Sequence, residues 1–261
     1  MWSQIGIGLR INILLTVLAG IVYPLAITGI CQIAFPHQAN GSLILQGTRV
    51  IGSKLIGQNF AKPEYFHPRP SSAGNDGYDP SSSSGSNLGP TSAKLILGTT
   101  KLDDKKNEVV DFDGISLRIV HYCLENGISY RSSEPLDRFK DARGNLDDVR
   151  LIKAFNDDKA PLTFAPQTHI PADAVTGSGS GLDPHISPAN AALQATRVAS
   201  ARGVSVDQVK QVIAQATEGP SFGIFGDPRV NVLTLNLALD QRFRNASSGV
   251  ALNRLAPLPA R

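Results

Sequence analysis

Cysteine is almost missing from this sequence: two residues in 261 exclude a disulfide-stapled scaffold. Charge is also scarce, at 18% of residues against the ~25% of an ordinary soluble domain. Nor is one sign in excess. Lys and Arg number 25 and Asp and Glu 22, a net charge of +3 without the concentrated basic surface of a nucleic-acid binder. Metal-ligand spacing is lacking too. None of the histidines (His37, His67, His121, His169, His185) lies three or four residues from another, and no cysteine pair supports a site. What is present is a chain with 41% hydrophobic residues, which excludes a disordered tail, and a length that allows one or two domains.

The shortage of charge is concentrated near the N-terminus, where no charged residue occurs between Ile11 and Phe35. A helix rising ~1.5 Å per residue covers roughly 37 Å over this length, enough to cross a hydrocarbon core of ~30 Å. Gly20, Thr28 and Gly29 suit packing against other membrane helices. Pro24 is expected to bend the span and to free a carbonyl that neighbouring protein must satisfy. Arg10 precedes the span and no Lys or Arg follows until Arg49, so the positive-inside rule predicts a cytoplasmic N-terminus and an exterior remainder. The run is longer than the about 7–15 apolar residues of a signal peptide, and no small-x-small site closes it. Ile30 is too bulky to precede a lipoprotein cysteine at Cys31. A retained anchor is expected.

Residues 99–160 hold 24 of the 47 charged side chains, 11 basic and 13 acidic, which reads as an insertion or solvated lobe on a less polar domain. Within it, Ile115–Leu124 can form one amphipathic element and Asp141–Asp148 is turn-like. Before it, Leu43–Ile56 reads as a hairpin turning at Gln46-Gly47-Thr48. Ser71–Pro90 has the composition of a flexible linker. After it, Ser187-Pro188 caps a helix over Ala189–Arg202 that Gly203 closes, and Ser205 to Gln208 form a capping box. Asn231 caps Val232–Phe243, where a helix is favoured over a strand because the run exceeds ten residues without Gly or Pro. The fold class is α+β.

A catalytic constellation is hard to find. Gly47 to Lys54 has Ser where a phosphate loop needs Lys directly after its second glycine, and it sits in a hairpin. Gly177-Ser-Gly-Ser-Gly181 matches the letters of a nucleophile elbow, but Val175-Thr176 is a poor strand and no helix begins at Gly181. One span forms no pore alone, and neither a selectivity-filter sequence nor a phosphorylation segment occurs.

Several segments carry a more specific signal. Gly41-Ser-Leu-Ile44 is followed by Gly52-Ser-Lys-Leu-Ile-Gly-Gln-Asn-Phe60, Tyr65-Phe-His-Pro-Arg-Pro-Ser71 and Ser84-Gly-Ser-Asn-Leu-Gly-Pro90. Later come Val175 to Pro184, Arg197 to Arg202, Gly226-Asp-Pro-Arg-Val-Asn-Val-Leu233 and Leu235-Asn-Leu-Ala-Leu-Asp240. In order and spacing these resemble KdpC, the family of small single-span subunits of the potassium-importing Kdp P-type ATPase. The resemblance runs from the span to residue 98 and again from about residue 170 to 243.

Charge pattern, topology and resemblance together divide the chain into a tail and transmembrane helix over 1–36, an extracytoplasmic α+β domain from 37–98 and 161–243, a charged insertion over 99–160, about which the resemblance itself says little, and a C-terminal tail over 244–261. The resemblance implies the bacterial inner membrane, with two partner proteins, a channel-like potassium-binding subunit and a P-type pump subunit. Lipid surrounds the span, and no nucleic acid is involved. Potassium is the transported ion, ATP belongs to the complex, and no catalysis by this chain alone is expected. Family members are described as catalytic chaperones that raise the pump subunit's affinity for ATP. If this chain touches nucleotide, Gln194, beside the Ala191/Ala195/Val198 stripe, is the candidate; otherwise it is an ordinary helix-flank glutamine. The predicted topology opposes direct contact, because ATP is cytoplasmic. Structural coupling is therefore the favoured reading.

Structural or subunit-contact roles are expected at Pro24, Ser53, Gln58, Phe60, Tyr65, Phe66 and Arg69. Further candidates are Ser86, Asn87, Ser178, Gly181, Leu182, Asp183 and Arg197. The resemblance also implies that Ser71–Pro90 is ordered, with Asn75, Asn87 and the serines bonding their own backbone and Arg69 anchoring carbonyls of those loops. Two other readings stay open: an anchored exterior hydrolase using Ser178 or Ser180 with His185, and a binding module whose 99–160 lobe recruits another protein.

Overall fold

The computed structural model describes residues 2–243; the tail expected at 244–261 lies outside them. The chain forms two compact units that divide between Leu55 and Ile56.

The first unit opens with one long helix: α1 (Trp2–Val17), a π-helical turn (Leu18–Val22) and α2 (Tyr23–Ala34). Gln4–Ala34 is long and apolar enough to cross a membrane, and none of its apolar window is buried. The π turn sits just ahead of Pro24. Proline has no N–H to give the carbonyl four residues back, and a wider turn is the usual way to absorb such a defect. The Tyr23 amide reaches back five residues to the Leu18 carbonyl. A short α3 (Pro36–Ala39) follows, tied by Asn40 Nδ2 to the Pro36 carbonyl at 2.6 Å and to Gln32 Oε1 at 3.1 Å. The expected hairpin is present as β1 (Leu43–Gln46) and β2 (Arg49–Ser53), antiparallel, with a bulge at Ile44/Leu45. Ser53 Oγ donates to the Gly41 carbonyl at 2.7 Å and closes its base.

The second unit begins with a long stretch without regular secondary structure, residues 56–92, before α4 (Ala93–Leu97). Then come the hairpin β3 (Thr99–Leu102) and β4 (Glu108–Phe112), α5 (Gly114–Glu125) and β5 (Tyr130–Ser132). Next are α6 (Asp148–Phe155), β6 (Phe164–Pro166), which pairs with β5, and α7 (Ala172–Val175). These elements enclose their own apolar cluster of Leu117, Val120, Leu136, Leu151, Ile152, Phe155 and Leu162. A fully buried Leu or Ile contributes about 1.5–3 kcal/mol. This cluster is separate from the main core described next.

The main core lies further along. β7 (His185–Ile186), α8 (Pro188–Arg202), α9 (Val206–Ala216), β8 (Thr217–Glu218), β9 (Arg229–Asn231) and α10 (Val232–Arg242) complete the unit. The strands form an antiparallel sheet in the order β7-β9-β8. The expected caps are all made: Ser187 Oγ accepts from the Asn190 amide, Ser205 and Gln208 form the reciprocal box, and Asn231 Oδ1 accepts from the Thr234 amide. Ala191, Ala195, Val198 and Ala199 of α8 pack with Val209, Val212 and Ile213 of α9 and with Leu235 and Leu239 of α10. The small residues of α8 let its neighbours approach closely, and Phe66 from the irregular stretch fills the same core.

Candidate functional site

His67 and Arg69 each precede a proline, which biases both toward extended backbone and keeps residues 63–71 out of any helix. An extended segment inside a domain must find partners for its carbonyls. Here five consecutive ones are met by side chains. Arg197 Nη1 donates to the Pro63 and Tyr65 carbonyls at 2.7 and 2.9 Å. Arg202 Nε donates to the Glu64 carbonyl at 2.7 Å. Asn236 donates to the Phe66 carbonyl at 3.0 Å and accepts the Phe66 amide at 2.8 Å. Gln194 does the same for His67, donating at 3.1 Å and accepting at 2.7 Å. Two side-chain amides thus act on successive residues as a neighbouring strand would.

Gln194 and Arg197 lie three apart on one face of α8, and Arg197 Nη2 also donates to Gln194 Oε1 at 2.8 Å. Burial pulls the Arg197 pKa down, while nearby Glu125 opposes that. Asp240, four residues beyond Asn236 on α10, accepts from Arg202 Nη2 at 2.8 Å and from the Tyr65 hydroxyl at 3.1 Å. Phe60 packs its ring 5.5 Å from that of Tyr65. Gln194 is 1% exposed, so the expectation of a helix-flank glutamine is corrected: its amide is consumed inside the fold.

A second network surrounds Arg69. It donates to Asp183 Oδ2 at 2.9 Å and to the carbonyls of Thr176 and Gly177 at 3.4 and 3.2 Å. The carbonyls it anchors therefore belong to the 176–177 turn and not to the 71–90 segment. Burial works against ionisation of Asp183. Hydrogen bonds from His185 and the charge of Arg69 nevertheless bring its carboxyl below the usual range. The 71–90 segment is ordered through other contacts. Ser71 Oγ donates to the Gly181 carbonyl at 2.6 Å and accepts the Tyr78 amide at 2.9 Å, and the Ser84 amide donates to the Ser180 carbonyl at 3.0 Å. The linker reading from composition is overturned: side chain to backbone bonds replace regular structure.

Gly181 sits at φ +68, where a Cβ would lie 2.5 Å from the Ser84 carbonyl oxygen. The Leu182 carbonyl accepts from the Gly57 amide at 2.8 Å, next to half-buried Gln58, and the Ser178 carbonyl accepts from the Gly181 amide at 3.3 Å. Ser86 Oγ accepts the Leu88 amide at 3.4 Å, and Asn87 takes a left-handed φ of +53 that asparagine tolerates. Of the candidates, Tyr65, Phe66, Gln194 and Arg197 come together in the first network. Arg69, Gly181, Leu182 and Asp183 come together in the second. Pro24 and Ser53 belong to the other unit.

Between the 67–78 loop and α5 lies an open cleft of about 510 Å³ with Gln194 on its wall. Six of its titratable side chains face one another in three pairs. His67 Nδ1 lies 3.4 Å from Glu125, His121 Nε2 lies 2.8 Å from Asp148, and Arg118 holds Asp113 through two contacts of 2.7 and 2.6 Å. The His67 ring keeps the Glu125 carboxyl below its ordinary value, and Asp148 raises the His121 ring. This donor set does not fit a nucleoside triphosphate. No lysine lines the cleft, its two arginines, Arg69 and Arg118, already hold carboxylates, and α5 and α6 begin with Asp113 and Asp147-Asp148. His185, Ser178 and Ser180 do not line this cleft. His185 is oriented by Asp183 at 3.4 Å, but among the described residues no hydrogen bond joins it to Ser178 or Ser180, and Ser180 Oγ accepts the Leu182 amide. Among the described residues no group of three or more His, Cys, Asp or Glu side chains could hold a metal.

Asn236, Arg202 and Asp240 complete the first network, a clamp on residues 63–67, and the sequence marks only the segments that contain them. Their signal is a polar residue inside an otherwise apolar helical stripe. The KdpC family model, described as K+-transporting ATPase, c chain, matches residues 5–110 and 145–241 and leaves 111–144 unmatched. The potassium-transporting ATPase KdpC subunit of Beijerinckia indica is 46% identical over 231 residues, covering 88% of this chain and 90% of that one. The KdpC subunit of a Caulobacter species is 47% identical over 232 residues, 88% and 89% of the two chains. That of Myxococcus xanthus is 43% identical over 244 residues, 93% and 90%. Both networks, and the apolar helix from residue 5 onward, fall inside the matched residues, and by this extent of similarity the chain belongs to the KdpC family of subunits of the K+-transporting ATPase.

Proposed function

We propose that this chain is the bracing subunit of the potassium-importing ATPase. Its N-terminal helix is retained in the bacterial inner membrane, its N-terminus is cytoplasmic and its body is extracytoplasmic. The body caps the channel-like potassium-binding subunit near the ion entrance, while the helix packs against that subunit and the P-type pump subunit. The observation that carries the reading is an apolar helix, Gln4–Ala34, with none of its apolar window buried. Such a chain has apolar surface to offer a partner within the membrane. Arg10 ahead of the span, with no further basic residue until Arg49, supports the orientation.

Any effect on the pump subunit's affinity for ATP is then exerted through the assembly. Direct contact through Gln194 would require its four hydrogen bonds to open, so its role is to hold His67. The 99–160 lobe is an insertion on a body built from 37–98 and 161–243, a reading supported by its separate apolar cluster and by the unmatched stretch inside it.

Mild-detergent purification of the tagged full chain tests the proposal. Two large multispan proteins should accompany it, and deletion of residues 36–261 should abolish growth at low potassium. Intact transport after that deletion, or an alkaline phosphatase fused after Arg261 that stays inactive while a cytosolic reporter there is active, would refute it.

A further inference from the structure

In the second unit Ile56, Ile96, Leu102 and Leu124 are exposed at separate places, whereas three exposed apolar side chains gather at one. Phe222, Ile224 and Phe225 are 96%, 76% and 64% exposed, all within a single turn between β8 and β9. From Gly219 to Gly226 no residue carries charge.

The turn is built and not loose. The Ser221 amide donates to the Phe225 carbonyl at 2.8 Å and the Phe225 amide returns to Ser221 at 2.9 Å. The Gly223 amide donates to the Pro220 carbonyl at 3.0 Å. Phe222 is held at φ +54, a conformation that costs an ordinary side chain about 1 kcal/mol or more. Its ring makes no core contact to offset that cost. The mount is rigid, because β9 is the central strand of the sheet and Val230 is fully buried. A preformed tip with three apolar side chains has little ordering entropy left to lose on binding.

We propose that this hairpin is a protein-docking tip: Phe222, Ile224 and Phe225 enter an apolar pocket of a sister subunit, with basic or amide groups at the pocket rim. The proposal rests on the subunit reading above. Charge selects protein over lipid as the occupant. The residues that bracket the tip are Glu218 and Asp227; the first is held by Arg229 at 3.3 Å and the second is exposed. No Lys, Arg, Trp or Tyr lies between them. Lipid-surface segments carry basic residues and interfacial Trp or Tyr, and an anionic membrane repels exposed carboxylates. A protein pocket with a basic rim accepts both features of the tip.

The test uses the full chain with its sister subunits in mild detergent. The double variant Phe222→Ser/Phe225→Ser should lose the sister subunits about tenfold faster on washing than wild type, as expected when hot-spot side chains are truncated. Phe222→Leu/Phe225→Leu should keep them. The thermal midpoint of the serine variant should match wild type, since neither ring is in the core. Retention of the subunits equal to wild type overturns the proposal. In a Cys31→Ser background, Phe222→Cys carrying a thiol-linked photo-crosslinker should join a sister subunit. An adduct with phospholipid alone, or no adduct, overturns it. Wild-type chain that recovers no sister subunit at all would instead defeat the subunit reading.

Discussion

Gln194 and His67 are joined by two opposed hydrogen bonds, side-chain Nε2 to backbone carbonyl and backbone amide to side-chain Oε1, across 127 positions of sequence. One helix residue thereby does the work of a strand. Asn236 repeats the device on Phe66.

Replacing Gln194 or Asn236 by Leu leaves one amide and one carbonyl buried without partners. Each unmet group costs about 1–3 kcal/mol, so either substitution should destabilise the body by roughly 2–4 kcal/mol in urea unfolding of the full chain. A Gln194→Leu chain as stable as wild type would mean that the clamp is idle.

Arg69→Lys should keep the ion pair with Asp183 and lose the fork onto the Thr176 and Gly177 carbonyls, because an ammonium cannot reproduce the planar donor set. A loss of about 1–2 kcal/mol is expected from the same unfolding measurement. A larger loss in Asp183→Asn than in Arg69→Lys would move the weight of the network from the carbonyls to the ion pair.

Gly181→Ala places a Cβ 2.5 Å from a backbone oxygen at positive φ and should cost more than about 2 kcal/mol. Gly179→Ala, two residues earlier and with nothing within 4 Å of its added carbon, should be close to neutral. Thermal melts of the two variants separate strain at one position from a general intolerance of the loop.

The cleft pairs give stability a pH dependence with two edges. Glu125, whose carboxyl is depressed by His67 from its ordinary 4.5, contributes stability present above that value and lost as pH falls through the folded value. His121, raised by Asp148 from 6.5, contributes stability fully present below that value and lost as pH rises through the folded one. Both side chains are about half exposed, so each edge is shallow. Melting points between about pH 5 and pH 8.5 should decline less steeply on the alkaline side in His121→Asn. A slope identical to wild type would deny the ring that role.

The helices α8, α9 and α10 are legible in the sequence because their caps are local: Ser187, Ser205 with Gln208, and Asn231 each bond within three residues of themselves. The hairpin at residues 43–53 is legible for the same reason. The strands β7, β8 and β9 are two or three residues long, too short for an alternating pattern. The order in residues 71–90 is hidden because its partners lie about a hundred positions away, as Ser71 and Gly181 do. Phe66, Arg69 and Arg197 stand out through the family resemblance, but nothing local says that Asn236 reads the backbone of Phe66, 170 residues earlier.

The π turn at Leu18–Val22 changes what the long helix can offer its surroundings. An extra residue in one turn advances the helix by about 100°, so a stripe running up α1 does not continue as the same stripe along α2. A straight rod would show one seam to one neighbour over its whole length. This one turns one half aside from the other, so α1 and α2 offer separate flanks to whatever surrounds them.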